Sequence, residues 1–327
     1  VSLAIIIINF RTPAVTIDCL QSLAPQIDDL PGSHVFLIDN ASGDDSVDRL
    51  REQIEKAGWG RWITFTASPV NTGFAGGNNL GIKQILASDT PFQFVLLLNS
   101  DTIAGPKVLQ YTVAKMQADA KIGILSCLLL NRDQSVQNAA RRLPTPLRLA
   151  ARNMSLPWIF PKMFAWANLE HPDWDRRTET RDVGWVGGAF MLIRREVIDR
   201  IGPLDEAFFF YGEDVEYCHR ATRAGWKIRY DPGASIVHLG GASSDSSRLA
   251  ARQRDALTWK ARYLLQRRCY GLAAEYFVRG TDIFIFGFRY LKLLLSGRKN
   301  TPEFATQRDV LAILLARSAA RPATGGR

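Results

Sequence analysis

Four cysteines in 327 residues, Cys19, Cys127, Cys218 and Cys269, stand far apart and form no CxxC pair. That rules against a disulfide scaffold and a cysteine-built zinc site, and a reducing, cytoplasmic setting is the expectation. No apolar run reaches the ~20 residues that a helix needs to cross a bilayer. The nearest, residues 283–295, is short and interrupted by Arg289 and Lys292. The opening VSLAIIIINF has neither a basic leader nor a small-residue cleavage site, which speaks against a signal peptide there. Standard phosphate fingerprints are missing too, since the stretch NTGFAGGNNLG at 71–81 has the spacing of neither a Walker loop nor GxGxxG.

What is present is globular. Hydrophobic residues make up 46% of the chain and charged residues 22%, enough for one large or two ordinary domains with a proper core. The net charge of +9 favours phosphate-rich partners: nucleic acid, an anionic membrane, or a nucleotide or lipid diphosphate.

Over the first half, buried β-branched or leucine-rich strands at 3–10, 35–38, 62–66 and 94–98 alternate with helical segments. This pattern predicts a parallel, doubly wound sheet. The run FVLLLNSDT at 94–102 is too uniformly apolar for a half-exposed strand, and it stops at Asn99-Ser100-Asp101. Ligands in such sheets collect at the carboxyl ends of the strands. Residues i and i+2 of an extended chain share a face, so Asn99 and Asp101 can reach one ligand, and the hard carboxylate oxygen suits Mg²⁺ or Mn²⁺. The same three residues also suit a plain strand-end turn. The Gly/Asn stretch at 71–81 reads as a loop entering a helix through Ile82, Ile85 and Leu86; its glycines either let a phosphate or ribose approach the backbone or simply make a βα turn.

The second half is less regular. A helix at 108–116 and a strand at 123–130 precede residues 131–181, rich in Pro, Arg and Trp, which read as a solvated loop region or as a lid or acceptor-side surface. DVGWVGGAFMLIR at 182–194 restores sheet character, with Gly187-Gly188 marking a bulge or close backbone approach. After a helix at 195–201 closed by Gly202-Pro203, an aromatic run leads into Glu213, Asp214 and Glu216 at a helix start. Carboxylates there are favoured by the helix dipole, and beside aromatics they also suit acid/base chemistry. Short strands at 226–230 and 235–237 end at His238, a packed residue or a contact to metal or phosphate. Beyond 243 come basic amphipathic helices at 248–268 and 276–295, which either lie on an anionic membrane or pack on the catalytic domain or a second subunit. The tail 319–327 is expected to be disordered.

Five pieces in fixed order, IIIINF, FLIDNAS, NTGFAGGNNLGI, LLLNSDT and GWVGGAFMLIR…GPLDEAFFFYGEDVEYCHRATRAGW…VH, resemble the inverting family 2 glycosyltransferases of GT-A fold, in particular their bacterial rhamnosyltransferase-like branch. The resemblance implies an α/β Rossmann-like mixed sheet with flanking helices and a C-terminal helical extension. Its catalytic domain would span 1–243, with a nucleotide-sugar half at 1–130 and an acceptor half at 182–243, followed by a helical region at 244–318. By the same likeness Phe10, Asp39, Asn71, Gly73, Asn78, Asn99 and Asp101 bind the donor. Asp101, Asn99 and His238 hold Mg²⁺ or Mn²⁺, with Asn99 standing where the family's DxD motif has its first carboxylate. Asp214 is the general base, Glu213 its nearest competitor, and Trp185, Gly187 and Gly188 line the sugar and acceptor pocket. The partners implied are a nucleotide sugar (dTDP-rhamnose ahead of a UDP-sugar) and a lipid-linked or cell-surface polysaccharide acceptor. No nucleic acid is implied, the C-terminal helices offer a membrane-surface contact, and a homo-oligomer is left open. The rival readings are a non-catalytic nucleotide-sugar or nucleic-acid binding module and a membrane-associated scaffold.

Overall fold

The computed structural model of the chain describes residues 2–171, 173–209, 211–240 and 251–316. In order, the elements are β1 (Leu3–Asn9), α1 (Pro13–Asp28), β2 (Ser33–Asp39), α2 (Ser46–Lys56), β3 (Ile63–Ala67), α3 (Gly73–Leu86), β4 (Phe94–Asn99), β5 (Thr102–Ala104), α4 (Val108–Ala118) and β6 (Ile122–Leu130). Then come β7 (Ala140–Arg141), α5 (Pro146–Asn153), α6 (Leu156–Ile159), β8 (Arg181–Asp182), β9 (Trp185–Val186), β10 (Phe190–Arg194), α7 (Arg195–Ile201), α8 (Glu213–Arg223), β11 (Lys227–His238), α9 (Ala251–Tyr270), α10 (Leu272–Leu295) and α11 (Pro302–Leu315).

The main sheet runs β3-β2-β1-β4-β10-β6-β11-β5, with β8 added on β11. Strands β1 to β4 are mutually parallel, as their two-face burial requires, and β10 enters antiparallel between β4 and β6 to make the sheet mixed. Register decides where the chemistry gathers. Asn9 lies opposite Asp39 and Ile8 opposite Asn99, so three strands end in polar residues along one edge.

Two segments differ from the sequence reading. The Gly/Asn stretch is helix from Gly73 onward, not loop. Glycine costs ~1 kcal/mol in a helix interior, but here it permits contact. A Cβ at Gly77 would stand 2.9 Å from Ile8, and one at Gly81 would stand 2.8 Å from Ile6, so the two glycines press α3 directly onto β1. The expected strands at 226–230 and 235–237 are one strand, β11, carrying a register shift between Tyr230 and Ser235.

The chain divides into two compact units, Val1–Leu143 with Leu169–Ala251, and Pro144–Asn168 with Arg252–Arg327. The boundary expected at 243 and the tail expected to be disordered at 319–327 lie outside the described residues. The first unit holds the sheet. In the second, Leu149, Tyr263, Val278 and Leu314 form a small core around Asp282, whose buried carboxylate accepts from Arg262, Tyr263 and Asn153. Among the described residues no helix is long and apolar enough to cross a membrane.

Candidate active site

β4 stops at Asn99, the chain turns through Ser100 and Asp101, and β5 then pairs antiparallel with the end of β11, Thr102 opposite His238. That pairing brings residues about 140 positions apart side by side. Asp101 is 4% exposed, and its Oδ1 lies 3.2 Å from His238 Nε2; Asn99 Nδ2 lies 3.2 Å from the same nitrogen. The turn and the convergence on one point therefore coexist. A residue that sequence reading missed completes the cluster. Gln137 Nε2 donates to the His238 carbonyl and to Asn131 Oδ1, both at 2.7 Å, which leaves its Oε1, 2.7 Å from His238 Nδ1, as the acceptor. Nδ1 accordingly carries a proton, and Nε2 is the ring nitrogen that faces both Asp101 and the Asn99 amide. A carboxylate oxygen and a ring nitrogen 3.2 Å apart call for a proton or a cation between them.

That donor chemistry fits a divalent cation only in part. Among the described residues no group of three or more His, Cys, Asp or Glu could hold a metal ion. Asp101, His238 and the Asn99 amide offer an incomplete set, as expected where substrate phosphates supply the remaining oxygens.

On the neighbouring strand ends, Asp39 is buried and busy. Its Oδ1 accepts from Ser42 N–H at 3.0 Å, and its Oδ2 accepts from Ser42 Oγ at 2.6 Å and Asn9 Nδ2 at 2.7 Å. Arg11 closes the same loop, donating from Nε to the Ser42 carbonyl at 2.8 Å, with its guanidinium 5.1 Å over the Phe10 ring. Asn40 ties β2 to the start of α3, donating to Asn71 Oδ1 and to the Gly73 carbonyl. Asn71 Oδ1 also accepts from Gly73 N–H, and Asn78, buried inside α3, donates to the Phe74 carbonyl. The expected donor-side residues thus share one edge, and several spend hydrogen bonds on shaping it.

The acidic helix start is joined to this edge by close backbone contacts. Gly73 has φ +70°, and a Cβ there would fall 2.3 Å from the Phe209 carbonyl oxygen, which accepts from Phe74 N–H at 3.3 Å. Only glycine tolerates both conditions. Gly188 packs against the tip of the Phe74 ring, which a Cβ would meet at 2.8 Å. The Gly188 N–H lies near enough to the Asp214 carboxylate to favour its charged form, while the next residue, Ala189, accepts from Asn99 N–H at 3.1 Å. Asn99 and Asp214 are thereby linked through two consecutive residues. Gly187 is held by Ala139, which a Cβ there would meet at an ordinary 3.7 Å, and Trp185 Nε1 is a buried donor with no hydrogen-bond partner among the described residues.

Glu213 and Asp214 begin α8. Burial and the neighbouring Asp214 charge push the Glu213 carboxyl up to about 8, and its Oε2 has no partner among the described residues. Burial raises Asp214 less, to about 6, because the Val215 and Gly188 N–H groups favour its charged form. Glu213 is then neutral at pH 7 and Asp214 ionised. The linkage has a definite sign: with the folded value raised, the stability from this proton is complete below about 4.5 and is lost as pH rises through about 8. Glu213→Gln should therefore flatten the fall in stability, at most roughly 1.4 kcal/mol per pH unit. A series of thermal melts should show the variant above wild type at pH 8 and level with it at pH 4.5; parallel curves would refute the raised value.

Asn99, Asp101 and His238 thus gather at the polar strand ends, and Gly188-Ala189 runs from Asn99 to the buried acidic start of α8. The family described as glycosyltransferase-like family 2 matches residues 2–260, and the chain belongs to it. It is a glycosyltransferase with a GT-A-like fold. It is 27% identical over 236 residues to the N-acetylglucosaminyl-diphospho-decaprenol L-rhamnosyltransferase of Mycobacterium tuberculosis, covering 69% of this chain and 74% of that one. It is 25% identical over 295 residues to the low-salt glycan biosynthesis hexosyltransferase Agl10 of Haloferax volcanii, covering 89% and 84%. In fold it is similar to a mannosyltransferase of Pyrobaculum calidifontis solved with GDP-Man and Mn²⁺, with a TM-score of 0.56 at 14% identity over 95% of this chain and 84% of that one. Staphylococcus aureus TarS solved with UDP gives 0.51 at 13%, over 87% and 70%.

Proposed function

We propose that the protein transfers L-rhamnose from dTDP-rhamnose, with inversion, to a lipid-linked or polysaccharide acceptor at the cytoplasmic face of a membrane. The observation that supports the reading is the Gly188-Ala189 pair, whose first N–H favours the charged form of Asp214 and whose second carbonyl accepts from Asn99 N–H. Inverting displacement needs a base on one side of the anomeric carbon and charge neutralisation at the leaving diphosphate on the other. Asp214 accepts the proton of the acceptor hydroxyl, and neutral Glu213 offers its unpartnered oxygen to the sugar or acceptor. Trp185 Nε1 presents a further donor, two residues from Gly187. Asp39, whose Oδ1 keeps one acceptor site, reads the nucleobase imide beside Phe10; Asn71, Gly73 and Asn78 line the ribose and diphosphate side. Asp101, His238 and Asn99 would hold Mg²⁺ or Mn²⁺, which when bound supplies positive charge to the diphosphate. The rhamnosyltransferase relatives favour the sugar, and the decaprenol-linked substrate named for one of them favours the acceptor class.

The test is a panel of nucleotide sugars with the purified protein, with and without Mn²⁺. A ligand at about 100 times its Kd adds about 2.7 kcal/mol to apparent stability. dTDP-rhamnose with Mn²⁺ should raise the melting temperature more than UDP-GlcNAc or GDP-mannose. A UDP- or GDP-sugar giving the larger rise would overturn the donor assignment.

A further inference from the structure

The unit formed by Pro144–Asn168 and Arg252–Arg327 contains a cavity of about 250 Å³ between α5, α6 and α10. Two guanidinium groups, Arg152 and Arg289, share its lining with Ser155, Trp158, Ile285 and Phe286. The arginines lean on aromatic rings, Arg152 at 5.5 Å from the Trp158 centroid and Arg289 at 5.8 Å from that of Phe286. The buried carboxylate behind the cavity, Asp282, is held by Arg262, Tyr263 and Asn153. On α6 and α10, which contribute to the lining, large apolar side chains face water: Trp158 is 63% exposed, Phe284 69% and Leu295 78%, with Ile159 and Phe288 similar. The stretches 144–168 and 283–300 together contain seven Lys or Arg and no Asp or Glu. So much exposed apolar surface ringed by charge of one sign marks an interaction surface. The all-positive rim selects an anionic partner, and a cavity this small suits a headgroup better than a folded protein element. Exposed aromatic and aliphatic residues beside arginine and lysine are the composition of an interfacial membrane contact.

We propose that this unit docks on an anionic bilayer, with the phosphate of one phospholipid headgroup held between Arg152 and Arg289 while Trp158 and the apolar rim enter the acyl boundary. Arginine suits the task because its planar fork binds two phosphate oxygens at once. The proposal deepens the reading of a membrane-linked acceptor by naming the lipid-binding site. Its test uses the full chain without donor or acceptor, so it stands or fails apart from that reading.

Vesicle flotation should show binding to phosphatidylcholine vesicles containing phosphatidylglycerol, and much weaker binding to phosphatidylcholine alone. Charge alone near an anionic membrane surface is worth about 5-fold in affinity per residue, so a basic pair outside the cavity should lose at most about 30-fold, whereas Arg152→Gln with Arg289→Gln, which also gives up the bidentate phosphate contacts, should lose well over 30-fold. An unchanged melting temperature would confirm that the double variant is folded. Arg152→Lys with Arg289→Lys, which keeps the charge and removes the fork, should fall between the two. Arg298→Gln with Lys299→Gln serves as the control for charge without the cavity. Equal losses for the control pair and the cavity pair would overturn the headgroup site. So would equal binding to neutral and anionic vesicles, or stabilisation by inorganic phosphate through these arginines with no vesicle binding.

Discussion

Asp214→Asn is expected to lower the transfer rate by about 10²–10⁴-fold while donor affinity stays near that of wild type. The replacement is isosteric, and its amide oxygen can still accept from the Val215 N–H that the carboxylate engages at 2.8 Å. What it loses is the capacity to take a proton. The pH profile supplies a second readout. Burial raises the Asp214 carboxyl to about 6 and only the ionised form is a base, so wild-type kcat/KM should fall as pH drops through about 6 and level off above it. The residual activity of the variant should lack that inflection. Glu213, pushed higher by burial and by its neighbour's charge, is the competing base. Were Glu213 the base, the wild-type inflection would sit near 8 and Glu213→Gln would be the dead variant. Retained turnover in Asp214→Asn would remove Asp214 from the chemistry.

How much of this was legible beforehand follows from the range of the interactions involved. The strands at 3–9 and 94–99 were legible because buried β-branched and leucine runs need no partner to be recognised. The antiparallel entry of β10 between β4 and β6 was not, since its own residues look the same in either direction. Asn99, Asp101 and His238 were found from their places at strand ends. Gln137 was not, because in sequence it is one polar residue in an irregular stretch, and its role arises from a partner 101 residues away. The glycines of α3 were taken for a loop by their local cost; the compensation is their packing on Ile6 and Ile8. Helices α5 and α11 carried a readable signal that was passed over. Each begins with a Thr-Pro pair, Thr145-Pro146 and Thr301-Pro302, and in each the threonine hydroxyl caps a backbone N–H. In sequence residues 144–168 read as loop, lid or acceptor-side surface, whereas they fold with the C-terminal helices.

The second large effect concerns the cation cluster and the glutamine behind it. Asp101→Ala should weaken Mn²⁺-dependent binding of the donor diphosphate by roughly 100-fold or more, because it removes the carboxylate oxygen that faces His238 Nε2 at 3.2 Å. Gln137→Leu removes no ligand of the proposed cation, yet it frees Nδ1 of His238 and lets the ring turn or carry its proton on the wrong nitrogen. Outer partners of this kind are worth about 10–100-fold in metal affinity. Gln137→Glu keeps an acceptor for Nδ1–H and should recover most of that loss, which a merely structural role for the side chain would not predict. Calorimetric titration of dTDP with and without Mn²⁺ separates the contributions: without metal, wild type and all three variants should bind alike and weakly, and the differences should emerge only when Mn²⁺ is added. Were Asp101→Ala to bind dTDP with Mn²⁺ as tightly as wild type, the strand-end cluster would not be the cation site. Were Gln137→Leu and Gln137→Glu to lose equally, the glutamine would be holding the 131–139 loop and not the imidazole.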